Sequence, residues 1–147
     1  MGTRSLIGKF NADSTITYIY CHWDGHPSHN GRILNEHYDD TKLDQLLALG
    51  NVSSLKKDIG EKHDFNDRVA GMTTFYGRDR GEDDQDAVTA ENLEEFLSEF
   101  KNSWVEYAYL LKDGVWAIFE QHDNFKMGLT NCDFILLRTI LGQEKCS

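Results

Sequence analysis

Between Thr15 and Gly25 the chain reads TITYIYCHWDG, and this stretch constrains the fold more than any other. Isoleucine, threonine and tyrosine are stiff or broad at the β-carbon and suit a pleated surface, so it is expected to be a strand. Side chains alternate along a strand, which sends Ile16, Tyr18, Tyr20 and His22 one way. Thr17, Ile19, Cys21 and Trp23 go the other way. Both faces carry large apolar groups, so the strand is expected inside a sheet that is covered on both sides. Asp24-Gly25 breaks it and Pro27 forbids a simple continuation. The exit of this strand, with its Cys, His, Trp and Asp, is the first place to look for a surface site.

The segments around it read as follows. Arg4 to Phe10 is a strand that pairs with Thr15–Trp23 across the turn Asn11–Ser14. Arg32 to Tyr38 places Ile33, Leu34, His37 and Tyr38 on one side of a helix, with Ser28 as its expected N-cap. Leu43, Leu46 and Leu47 repeat at helical spacing, and Gly50 suits the residue after a helix end. Asn51 to Met72 is weakly patterned and reads as loop anchored by Val52, Leu55, Ile59 and Phe65. Thr73 to Gly77 reads as a strand, and GRDRGEDDQD after it as loop.

Thr89 is expected to cap a helix in which Leu93, Phe96, Leu97 and Phe100 share a face. Trp104 to Glu120 reads as a hairpin turned at Lys112-Asp113-Gly114, because Asp-Gly is the strongest short hairpin signal. Cys132 to Leu141 reads as a helix that is apolar nearly all round. Such a helix is either buried or joins two copies of the chain. The expected fold is one α+β domain: an antiparallel or mixed sheet of about five strands with three to four helices packed on it.

At 147 residues the chain is long enough for a core without staples. Its three cysteines, Cys21, Cys132 and Cys146, show no CxxC spacing and read as free thiols. The start, MGTRSLIGKF, lacks a signal-peptide layout, and no apolar run reaches the ~20 residues of a membrane span. These features predict a cytoplasmic protein without a membrane partner. A net charge of −10 argues against direct nucleic-acid binding, which needs Lys and Arg at phosphates.

Three groups are candidates for function. The first is the strand exit. Four of the six histidines lie at His22, His26, His29 and His37. Cys21 and His22 point to opposite faces, so they cannot share an ion or act as a nucleophile and base without a bulge. His22, His26 and His29 read as loop histidines, and neither a metal nor a cofactor is expected. The second group is Arg78 and Arg80, which either grip an anion or pair with Asp79 and Glu82. The third is an acidic band: Asp83, Asp84, Asp86, Glu91, Glu94, Glu95 and Glu99. It is either a solvated helix face or a docking surface for a basic partner.

The blocks TRSLIG, YIYCHWDGHP, NGRILNEHY and TTFYGRDRGE resemble a family of small proteins encoded by tailed phages, including phages of cyanobacteria. The resemblance covers roughly the first half of the chain, up to about Glu82, and YCHWDG is its most distinctive block. The family pattern has Tyr where this chain has His26, which speaks against a metal role there. The resemblance implies a non-virion accessory protein in the host cytoplasm and brings no activity with it. Two functions are therefore expected, in this order. The first is non-enzymatic binding of a host protein with a basic surface, through the acidic band. The second is a small enzyme or ligand sensor with a pocket at His22, Trp23, Asp24, Arg78 and Arg80.

Overall fold

The computed structural model describes residues 3–103 and 105–120, together with the backbone of Ile135–Leu136. The elements in chain order are β1 Ser5–Phe10, β2 Ile16–Cys21, α1 Arg32–His37, α2 Asp40–Ala48, β3 Val52–Ser54 and β4 Thr74–Phe75. They continue with α3 Tyr76–Arg80, β5 Val88–Ala90, α4 Leu93–Lys101, β6 Tyr107–Lys112, β7 Val115–Glu120 and β8 Ile135–Leu136. The strands form one mixed sheet in the order β4-β3-β2-β1-β6-β7-β8, with β5 also paired to β2. The fold is α+β.

β2 is the inner strand its sequence predicts. One edge pairs antiparallel with β1 along its whole length. The other edge is shared. β5 takes its first half, with Ile16 opposite Ala90 and Tyr18 opposite Val88. β3 takes its end, parallel, at Cys21 opposite Val52. The alternation of side chains then separates two cores. Ile19 and Cys21 pack with Ile7, Leu34, Leu43 and Leu46 under α1 and α2. Ile16 and Tyr18 pack with Leu6, Ala108, Phe96 and Phe100 under α4. The Tyr18 and Phe96 rings meet edge to face, 5.0 Å between centroids.

Several local expectations are corrected. The stretch expected to be loop contains β3, which the parallel edge of β2 recruits. β4 holds only Thr74–Phe75, because the Asp79 carboxylate accepts a hydrogen bond from the Phe75 N–H at 2.8 Å and turns the chain into α3. Arg78 and Arg80 therefore lie on a helical turn and not on a loop.

Thr89 is no cap. It lies in β5 opposite Thr17, where a β-branched residue is favoured, and Asn92 caps α4 by accepting from Glu95 N–H at 2.8 Å. Ser28 is no cap either. His26 accepts from the Ser28 N–H at 3.1 Å and opens one wide helical turn, Pro27–Gly31, that runs directly into α1. α2 is capped by Asp39, whose carboxylate accepts from Lys42 N–H.

Among the described residues the sheet has eight strands, three of them of two or three residues beyond the five or so expected. The helix expected over Cys132–Leu141 is overturned at Ile135–Leu136, which pair antiparallel with Ile118 and Ala117 of β7. An all-apolar run fits a buried strand as well as a buried helix, and an open sheet edge decides between them. The other residues of that segment lie outside those described, as do Cys132 and Cys146.

Two glycines mark where the chain must turn closely. Gly50, with φ +84°, ends α2 as expected, and a β-carbon there would lie 2.1 Å from the Gln85 carbonyl oxygen. Gly25 passes against β1, where a β-carbon would lie 2.8 Å from the Thr3 carbonyl oxygen.

Candidate functional site

Beyond Cys21 the chain stays bound to β3 for two more residues. His22 and Trp23 N–H groups donate to Val52 and Ser53 carbonyls, both at 3.0 Å. Asp24 then takes a left-handed conformation with φ +58°, one that Asp tolerates better than most residues. Asn30 holds the turn from inside. It is fully buried, its backbone N–H donates to the Asp24 carbonyl, and its Nδ2 donates to the Trp23 carbonyl at 3.0 Å. The Tyr109 hydroxyl donates to the Gly25 carbonyl at 2.5 Å. The turn is thus anchored to the sheet from two sides, and Trp23 is left 40% exposed.

Beside it lies a cleft of about 560 Å³ lined by Trp23, Asp24, Ser54, Lys56, Arg68, Val69 and Ala70. The cleft is open to solvent, with Trp23, Asp24, Arg68, Val69 and Ala70 of its lining exposed. Val69, 43% exposed, is its second large apolar wall. Arg68 is fixed by three hydrogen bonds. Nη1 donates to Ser54 Oγ at 2.9 Å, Nη2 to Ser53 Oγ at 3.0 Å, and Nε to the Phe65 carbonyl at 3.3 Å. Two consecutive serines reach one guanidinium because β3 is irregular there, with Val52 and Ser54 opposite adjacent residues of β4. Among the described residues no carboxylate lies in ion-pair range of Arg68 or Lys56.

Only part of the pocket expected from sequence comes together. Trp23 and Asp24 line the cleft. The His22 ring turns away to the Tyr20 hydroxyl, 2.8 Å from Nδ1, and meets the Trp23 ring edge to face. Partial burial, with the nearby Arg4 charge, holds His22 below the ordinary histidine pKa.

Arg78 is spent on structure. It pairs with Asp79 at 3.0 Å and donates to the Ile59, Gly60 and Thr73 carbonyls. Arg80 pairs with Glu82 and lies over the Phe65 ring. Self-pairing, one of the two expectations for these arginines, is what the structure has. Burial pushes the Asp79 pKa up, but hydrogen bonds from Arg78, Phe75 N–H and His63 N–H outweigh it and hold the carboxyl below the usual range. Sequence reasoning missed Arg68, Lys56 and Asn30. A lone arginine after a string of polar residues carries no signal until β3 supplies its hydroxyls.

The acidic band is exposed throughout: Asp83, Asp84, Asp86, Glu91, Glu94, Glu95 and Glu99 all face solvent. None of the seven forms an ion pair among the described residues. Glu95 has a structural duty as well, since its Oε2 accepts from the Glu91 N–H at 3.1 Å. The field of the band reaches the sheet. Burial raises the Tyr18 phenol pKa first, and Glu99 and Glu95 raise it further.

The strand-exit cysteine and histidines divide among separate tasks. Cys21 is fully buried, and burial pushes its thiol up to about 11, away from nucleophilic chemistry. His26 Nδ1 lies 2.8 Å from Ser28 Oγ. Among the described residues no three His, Cys, Asp or Glu side chains converge as metal ligands, and no helix is long and apolar enough to cross a membrane. No protein-family model, curated protein or solved structure matches the chain.

Proposed function

We propose that this chain is a non-enzymatic binding protein that docks through its acidic band on a basic surface of a host protein, in the host cytoplasm. One observation carries the reading: seven carboxylates stand exposed and, among the described residues, without ion-pair partners along the 83–86 loop, at Glu91 and on the outer side of α4. Charges left this way repel one another, whereas opposite a basic surface they steer association. The resemblance of YCHWDG and its flanking blocks to tailed-phage accessory proteins supplies the host setting.

The test compares the protein with a Glu94→Lys, Glu99→Lys variant in capture from host lysate. Both positions are exposed and neither caps the helix. A partner retained at low salt, released at high salt and lost with the charge reversal supports the reading. A partner indifferent to both salt and charge reversal, or none at all, refutes it.

A further inference from the structure

The cleft beside Trp23 is a second surface, and it lies at the opposite end of β2 from β5, the strand that the acidic residues flank. Its wall carries three charges and an apolar floor. Arg68 and Lys56 are cationic, Asp24 is anionic, and Trp23, Val69 and Ala70 are apolar. Three of the five guanidinium N–H bonds of Arg68 are used by Phe65, Ser54 and Ser53, so two remain to donate. The hydrogen bonds that use the others also hold the guanidinium still, which lowers the entropic cost of forming a new contact. Asp24 forms no ion pair with either cation among the described residues. The cleft therefore keeps both signs of charge uncompensated beside an exposed indole.

We propose that this cleft binds a small zwitterion with an apolar body, in class an apolar α-amino acid. The ligand carboxylate lies against Arg68 and Lys56, its ammonium against Asp24, and its side chain against Trp23 and Val69. A plain anion leaves Asp24 opposed to it, and a plain cation meets Arg68 and Lys56. Only a ligand with both charges uses the whole wall. This site stands apart from the acidic band, so either can fail without the other.

The experiment titrates the full-length protein with three probes: L-phenylalanine, 3-phenylpropionate, which lacks the ammonium, and 2-phenylethylamine, which lacks the carboxylate. Binding is read by isothermal titration and by intrinsic tryptophan fluorescence, whose ligand-dependent change should be absent from Trp23→Ala. The expected result is saturable binding of L-phenylalanine, with each analogue about tenfold weaker or worse, the scale of one lost charge-assisted hydrogen bond. Trp23→Ala and Lys56→Gln are each expected to weaken L-phenylalanine about tenfold, the second with an unchanged Tm. Three probes that bind alike, no saturation by L-phenylalanine, or variants that bind as the parent does would overturn the proposal.

Discussion

The two ends of β2 have the same neighbour on one side and different neighbours on the other, and this difference organises the surface. At its start, β5 pairs antiparallel and hands the chain to α4 within two residues. At its exit, β3 pairs in parallel and is followed by a long excursion, residues 55–73, before β4. The first arrangement is short and buried through Phe96 and Phe100, so its charges can only face outward. The second needs polar clamps to hold a loop that contributes little to the core. Arg78 with Asp79, and Arg68 with Ser53 and Ser54, are those clamps. Packing holds the acidic end, and hydrogen bonds hold the cleft end.

Substitutions at the two ends should separate these causes. The largest effect is expected at Phe96, fully buried against Tyr18. Phe96→Ala should cost about 3–5 kcal/mol in chemical denaturation. In amide exchange, protection should fall over residues 88–101 before it falls at the cleft. Asp79→Ala comes next. It strands the Arg78 guanidinium and removes acceptors for Phe75 and His63 N–H, at a cost of about 2–3 kcal/mol. Exchange should then rise in residues 59–75 and leave α4 protected. If either substitution loosens both ends equally, the division between packed and clamped ends is wrong.

A smaller effect belongs to the helix cap. Asn92→Ala should cost about 1 kcal/mol, since Glu95 N–H loses its acceptor. The pH response should also differ between the ends. The folded-state pKa of Asp79 is depressed, so the unfolded chain takes up its proton first as pH falls. Its contribution is complete above the ordinary carboxylate pKa and is lost as pH falls through the depressed folded value. Exchange in residues 59–75 should therefore rise in acid, and Asp79→Asn should remove that part of the response.

The framework of the fold was legible where local chemistry and tertiary context agree. β1, β2, α2, α4 and the β6–β7 hairpin follow from alternation, from helical spacing and from Asp113-Gly114, whose φ angles of +52° and +78° the turn requires. Of the strands of two or three residues only β4 was legible, within Thr73–Gly77. β3, β5 and β8 exist because a longer strand offers them an edge, and three residues carry no period to read.

The same reason explains the site. Trp23 and Asp24 were found because they end a recognisable strand. Arg68 was missed because its partners come from β3; the pairing of Arg78 with Asp79 was one of two readings left open, because the carbonyl acceptors that complete it come from the loop it closes. The acidic band was readable in full, since charge at helix spacing needs no partner to be seen.

The separation of charge along β2 is tested most directly by two-dimensional NMR of the labelled protein titrated with a short Lys-rich peptide. Saturable shifts confined to Asp83–Glu99, with Trp23, Ser54 and Arg68 unmoved, are the predicted result. Shifts spread over every exposed carboxylate, Asp13, Asp44 and Asp67 included, or centred on the Trp23 cleft, would contradict it.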